Sequence, residues 1–468
     1  MDELCDLTAG EIARRVRSRD LRAEDVMTAV AQRAERVNPA INALCTTDFD
    51  RALEEARRVD TAPARELPLL GVPVSIKDLT DTAGLRTTFG STHYADRVPD
   101  KDALVVERIR AAGGIVFAKT NTPEFGAGFN TTNQLFGATR NPWDTSRSSG
   151  GSSGGAAAAV ASGLGPIAHA TDHGCSIRLP ASLNGLVGLR PTPGRVPDWP
   201  SDWVYDTYCV TGPLARTVAD CELFFQVMAG PDPRVPPSDM PAYERRPGDG
   251  VQRLRAGWSP DLGLAAVEPE VQQLCREAVG VLAEAGLFVE DACPDLSEAR
   301  TIIDPLRTVR QVAESSYTAP LASVDNGFVT DYLQRADTYS ARDVAVAEAA
   351  RSRLWQSLTD FFESHDLLLT VTTQFPAFPV EQPYPPVIDG RPSADTNDAC
   401  ISCYAITVTG LPSLSVPAGW TADGLPVGLQ IVAPRRREDL LFRVAAELEL
   451  RRPWSHRRPP VLEQSSHG

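Results

Sequence analysis

A chain of 468 residues, 42% of them apolar, can bury a large core, and its formal charge of −15 is a poor match for phosphate backbones or anionic membranes. No apolar run reaches the roughly 18 residues that span a bilayer, and nine cysteines, odd in number and irregularly spaced, read as reduced thiols. The acidic start, Met1-Asp-Glu-Leu-Cys-Asp6, lacks a basic region followed by an apolar core, so no secretory signal is expected and the chain is placed in the cytoplasm.

Thr8-Ala-Gly-Glu11 carries the capping-box pattern and opens an N-terminal helix. Val26, Val30, Ala34 and Val37 share one face of a second helix, from about Ala23 to Val37, which Asn38-Pro39 should end. Residues 1–60 are thus a helical segment expected to pack on the core or on a partner subunit. Val72, Val74 and Ile76 alternate as one face of a strand ending at Lys77. Residues 115–118 read as a strand running into Lys119, which is assigned a structural role. The stretch 143–148 is polar and does not read as a strand. The run Gly150-Gly-Ser-Ser-Gly-Gly155 then sets two serines on backbone that glycine negotiates most easily. An alanine-rich helix over 156–162 follows at once, its N-terminal dipole directed at those serines.

Residues 166–171 read as a strand delivering the loop Thr171-Asp-His-Gly-Cys-Ser-Ile-Arg178. Residues 254–258, 269–285 and 288–290 form a strand–helix–strand unit. A helical stretch covers 296–364, and strands near 367–371, 414–416 and 427–432 finish the sheet. The Arg- and Pro-rich tail, 451–468, is expected to fray. There is no internal repeat or long linker.

Lysine usage singles out one residue. Of 46 basic residues only Lys77, Lys101 and Lys119 are lysines. Arginine cannot lose its proton in a protein, whereas a buried lysine can shift its pKa far enough to act as a base. A lysine at a strand end is ordinarily a solvated cation; the arginine bias together with the serine loops favours a functional Lys77.

These segments resemble the amidase signature enzymes, and the resemblance runs from about Leu7 to Leu450. It is carried by Gly150-Gly-Ser-Ser-Gly-Gly155, by Thr171-Asp-His-Gly-Cys-Ser176-Ile-Arg178-Leu-Pro180, by Val74-Ser-Ile-Lys77-Asp78, and by Thr409-Gly-Leu-Pro-Ser-Leu-Ser-Val-Pro417. It implies an α/β fold with a large mixed, mostly parallel central β-sheet covered by helices on both faces. The catalytic domain would span 61–450, with a variable helical pocket wall over about 296–395. It also implies a Ser–Ser–Lys triad without metal or cofactor. Ser176 would be the nucleophile, Lys77 a neutral base, and Ser152 a proton relay preceded by a cis peptide bond. Backbone N–H groups of His173, Gly174, Cys175 and Ser176 would hold the oxyanion. Ser153, Asp172 and Arg178 would support the loop, the last two as a buried pair. The implied activity is hydrolysis of a small carboxamide, such as an aryl or acyl amide, a carbamate or a nylon-type oligomer, through an acyl-enzyme. The partner is the small-molecule substrate, with neither nucleic acid nor membrane; a homodimer is compatible.

The chain departs from the family pattern at Gly174-Cys175, where Gly-Gly is usual, and at Thr407-Val408, where an asparagine is usual. A cysteine needing φ > 0 would add strain and could weaken the oxyanion hole, which leaves a catalytically impaired binding protein as one alternative. Another is the amidase subunit of a tRNA-dependent amidotransferase, although 204–209 lack the serine-rich stretch associated with that branch. Gly150-Gly-Ser-Ser-Gly154 also fits a nucleophile elbow, but no hydrophobic strand precedes it, and His365 and His456 stand outside any recognisable motif. It lacks the Gly-Lys-Ser/Thr ending of a phosphate loop. His173 with Cys175, and Cys400 with Cys403, are too few ligands for a metal. Tyr317, Phe328, Tyr332, Phe375, Phe378 and Tyr384 would suit an apolar acyl pocket, or ordinary core.

Overall fold

Alternation in the apolar segments resolves into one eleven-stranded sheet. Its strands are β1 (Leu44–Thr47), β2 (Pro73–Lys77), β3 (Ile115–Thr120), β4 (Ile167–Asp172), β5 (Val187–Arg190), β6 (Val210–Ala215), β7 (Arg255–Trp258), β8 (Phe288–Asp291), β9 (Leu367–Val371), β10 (Ser413–Trp420) and β11 (Pro426–Val432). They lie in the order β1-β3-β2-β4-β6-β5-β10-β11-β9-β7-β8. The computed structural model describes residues 2–63, 66–201, 203–244, 250–317 and 327–464.

The sheet is mixed, but the expectation of mostly parallel pairing fails. Six of the ten neighbour pairs are antiparallel. Parallel pairing is confined to β3-β2-β4 and β9-β7-β8. Between these runs lies β10-β11, joined only by 421–425, too few residues for a parallel crossover.

Both faces are covered, which is why β2, β6, β9 and β11 are buried along their whole length. Ala168 and Ala170 of β4 pack with Ala156, Ala157 and Val160 of the Gly154–Ala161 helix. Ile167 belongs instead to the cluster containing Val218, Phe224 and Phe225 of the Val218–Met228 helix. Among the described residues no helix is long and apolar enough to cross a membrane.

The N-terminal segment packs on the core. The Thr8 capping box is formed, and the Asp220 carboxylate accepts from Ala9 N and Gly10 N at 2.8 and 3.1 Å. The second helix continues past its expected end, over Ala23–Ile41 with Pro39 in its last turn. It stops at Asn42, whose left-handed φ of 50° turns the chain, while Asn38 Oδ1 caps Ala43 N and Leu44 N. Two further expectations are corrected. Residues Asp144–Ser148 do form a strand, in a polar two-stranded ribbon with Arg140–Asn141. That ribbon lies outside the main sheet, so a hydrophobic signal could not have found it. The tail does not fray through its described part. Trp454 is buried and donates to Arg216 O at 3.0 Å, and a Val461–Gln464 helix packs against Ala23–Ile41. Residues 465–468 lie outside the described part.

Two helical glycines separate packing from propensity. A Cβ at Gly155 would meet Asn121 N, Asn121 O and Ala43 O at 2.4, 2.5 and 2.8 Å, all backbone, whereas at Gly280 it would meet nothing within 4 Å. Gly155→Ala should cost about 1–3 kcal/mol through overpacking. Gly280→Ala should add roughly 0.5–1 kcal/mol by restricting the unfolded chain. Thermal midpoints moving in opposite directions are the expected result.

Candidate active site

Strands β2 and β4 are parallel neighbours, so Lys77 and Thr171–Asp172 emerge together at their carboxyl ends. The glycine-rich run brings Ser152 to the same place just before the Gly154–Ala161 helix, and the Gly151–Ser152 peptide bond is cis. Lys77 Nζ is hydrogen-bonded to Ser152 Oγ at 2.7 Å and to Thr171 Oγ1 at 2.9 Å. The amine is fully buried, and burial brings its pKa down to about 7. The carboxylate of Asp172 works weakly in the opposite direction.

Ser176 lines the cleft that Ser152, Thr171, Gly174 and Cys175 also line, a cavity of about 70 Å3. Its carbonyl accepts from Ser153 N at 3.3 Å, which ties the two serine loops together. Ser153 Oγ in turn donates to Thr171 O at 3.2 Å. Among the described residues, the backbone N–H groups of His173, Gly174, Cys175 and Ser176 donate to no protein acceptor, whereas the next, Ile177 N, donates to Asp172. Four successive N–H groups beside the cleft are thus unpaired among the described residues. Neither Gly174 nor Cys175 has a positive φ, so a side chain at 175 adds no backbone strain. Position 174 is different: a Cβ there would lie 2.3 Å from Tyr404 Cζ.

A buried ionic cluster fixes the loop. Asp172 accepts from Arg178 Nε and Nη2 at 3.0 and 3.1 Å, from Arg190 Nη1 at 3.2 Å, and from Ile177 N at 3.1 Å. Burial alone would raise its pKa, yet the two guanidiniums bring it down to about 2. Arg178 spends its other donors on Gly174 O, Cys403 O, Gln430 Oε1 and Thr407 Oγ1. Thr407 Oγ1 also donates to Gly174 O at 2.6 Å. The threonine at the unusual position therefore touches the loop before Ser176 itself.

Several contributors carried no recognisable sequence signal. Thr171 stands in a strand that also carries His169 and Asp172, so its hydroxyl is a weak cue. Tyr404, Arg307, Arg310, Gln311 and Cys209 reach the cleft from distant segments. Of the aromatics expected in the pocket wall, Phe328 lines the cleft and Tyr332 stacks on Arg307 behind it. Phe375 and Phe378 pack edge to face on each other in the core. Tyr384 is partly buried against the same cluster, and the side chain of Tyr317 lies outside the described residues. Lys119 is buried and donates to Thr80 O and Thr82 Oγ1, away from the cleft. Cys175, Cys400 and Cys403 are buried free thiols of one apolar cluster, and among the described residues no group of three or more His, Cys, Asp and Glu side chains could hold a metal ion.

The profile of the Amidase family matches residues 25–442. An acylamidase of Rhodococcus erythropolis is 39% identical over 97% of each chain. A glutamyl-tRNA(Gln) amidotransferase subunit from Acidothermus cellulolyticus is 36% identical over 96% of this chain and 95% of its own. Among solved structures, a bacterial aryl acylamidase of the amidase signature family superposes with a TM-score of 0.85 and 27% identity, covering 99% of both chains.

Neutralising Asp172 would leave Arg178 and Arg190 buried without a counter-charge. Asp172→Asn should therefore destabilise the fold by about 3–5 kcal/mol. Urea unfolding should show a lower midpoint; an unshifted one would mean that the guanidiniums find other partners.

Proposed function

This chain belongs to the amidase family and hydrolyses carbon–nitrogen bonds of amides, and from that premise we propose that it does so through Ser176, Ser152 and Lys77. The observation that carries the reading is the buried Lys77 amine, hydrogen-bonded to Ser152 at 2.7 Å and with a pKa near 7. In its neutral form Lys77 offers a lone pair to the Ser152 hydroxyl, while an N–H donates to Thr171 Oγ1. Ser152 then accepts the proton of Ser176 as Ser176 Oγ attacks the amide carbonyl carbon. The carbonyl oxygen becomes an oxyanion, which the N–H groups of residues 173–176 stabilise; one such donor is typically worth about 3 kcal/mol of barrier. Lysinium returns its proton through Ser152 to the amide nitrogen, the C–N bond breaks, and the amine departs. Water attacks the acyl–Ser176 ester by the same proton route in reverse, releasing the acid and regenerating the serine.

Two adjoining cavities indicate how a substrate lies. The inner cleft of about 70 Å3 has no exposed lining residue. A larger cavity of about 520 Å3 reaches the surface at Thr92, Thr132 and Gln134. Phe129 and Phe328 line both and meet edge to face, with ring centroids 6.3 Å apart. The amine must leave while the acyl group stays bonded to Ser176. The outer cavity therefore takes the amine portion, and the inner cleft takes a short acyl chain.

The amidotransferase reading stays in view because a relative of that kind matches nearly the whole chain. All the residues invoked here come from one chain, so this cytoplasmic enzyme should turn over a simple anilide when purified alone, as monomer or homodimer. Labelling of Ser176 by a sulfonyl fluoride should accompany that activity, and absence of labelling would favour the impaired binding protein.

Because the neutral amine is the active form, kcat/KM should rise about tenfold per pH unit up to pH about 7 and then level off. Lys77→Arg should lose about 10²–10⁴-fold in kcat, as badly as Lys77→Ala, since arginine keeps the charge but cannot take a proton. An arginine variant with most of the wild-type rate would refute the base assignment.

A further inference from the structure

We propose that Arg307 selects the substrate, and that the acyl portion carries a carboxylate at the far end of a short chain. The proposal rests on the hydrolase reading above, which places the acyl group in the inner cleft. That cleft is lined by two arginines, Arg307 and Arg310, and by no acidic side chain. Arg310 is paired with Asp206. Arg307 is not so compensated. Among the described residues no carboxylate lies within ion-pairing distance of it, and both of its hydrogen bonds leave from Nη1, to the neutral acceptors Asn397 Oδ1 and Tyr404 OH.

Its charge is otherwise held by aromatic faces. The guanidinium carbon sits 4.5, 4.8 and 5.0 Å from the ring centroids of Phe328, Tyr332 and Tyr404. Such a box fixes the plane of the guanidinium and removes its rotational freedom, but three neutral rings do not supply a counter-ion. The nearest acid in this network, Asp304, is one residue removed, bonded to Asn397 Nδ2 rather than to the arginine. A buried cation whose hydrogen bonds to described residues both leave from Nη1, in a cleft that Ser176 also lines, is complementary to a planar two-oxygen anion.

A neutral alternative is that Arg307 only braces Tyr404, whose ring lies against Gly174 of the oxyanion loop. The two roles differ in what they do to substrate preference. A brace affects every amide alike, whereas an anion receptor discriminates between chains that carry a carboxylate and chains that do not.

The test compares malonanilic, succinanilic and glutaranilic acids with butyranilide, a neutral anilide, using the purified full-length protein. In the wild type, the best acidic anilide should exceed butyranilide in kcat/KM by at least about tenfold, the discrimination expected of one charge-assisted contact. In Arg307→Met that ratio should fall by at least about tenfold, whatever happens to the absolute rate, and Arg307→Lys should restore part of it. A wild-type preference for the neutral anilide, or a ratio unchanged in Arg307→Met, overturns the proposal in favour of the brace. Should Arg307→Met fail to fold, the wild-type ratio decides alone. Calorimetric binding to Ser176→Ala separates this inference from the hydrolase reading. Tighter binding of the acidic anilide by at least about tenfold supports Arg307 even if no anilide is turned over, and equal binding of the two refutes it.

Discussion

An amine kept out of water is the constraint on which this site depends. Lys77 lies on a strand buried from Pro73 to its own position, covered by helices on both faces of the sheet. Desolvation disfavours the charged form, and a nearby carboxylate would restore it. The structure resolves the conflict by engaging the Asp172 carboxylate elsewhere. Asp172 is one residue beyond Thr171, which touches the amine, yet its oxygens are occupied by Arg178, Arg190 and Ile177 N. Lysine meets hydroxyls and aspartate meets guanidiniums, within a few residues of one strand end.

That segregation also shapes the loop. Five donors of a guanidinium in a fixed plane allow Arg178 to hold Asp172 on one side and to reach Gly174 O, Cys403 O and Gln430 on the other. Gly174 O is held by Arg178 and Thr407 together. Among the described residues the N–H groups of 173–176 have no acceptor while this carbonyl is held. A lysine at 178 could not make this set of contacts, since an ammonium offers three donors from one atom.

Much of this was legible in the sequence where the signal was local or rare. Three lysines among 46 basic residues drew notice to Lys77, and the glycine-flanked serines marked the two loops that the fold brings to it. The cysteine at 175 read as a possible source of strain because only its neighbours in sequence were visible; its backbone does not require positive φ. What could not be read was contact between remote segments. Tyr404 stands 230 positions from Gly174, and nothing in either local pattern says that a phenol fills the space a Cβ would need. The sense of strand pairing was misjudged for a related reason: alternating strands and helices suggest crossovers, whereas the short return between β10 and β11 enforces an antiparallel pair.

The departures from the family pattern acquire a common explanation in that remote contact. Tyr404, from the Ile401–Thr407 helix that follows the expected pocket wall, sits between Gly174 on one side and Arg307 of that wall on the other, so it links the wall to the loop before Ser176. Thr407, one helical turn further along, bonds the same loop carbonyl. A change at 404 would therefore disturb both the loop before Ser176 and the surroundings of Arg307. Among the described residues the Lys77–Ser152 pair has no hydrogen bond to the wall, since the amine bonds Ser152 and Thr171 on β4. An exchange at 404 or 407 should therefore leave the hydrogen bonds of Lys77 to Ser152 and Thr171 in place.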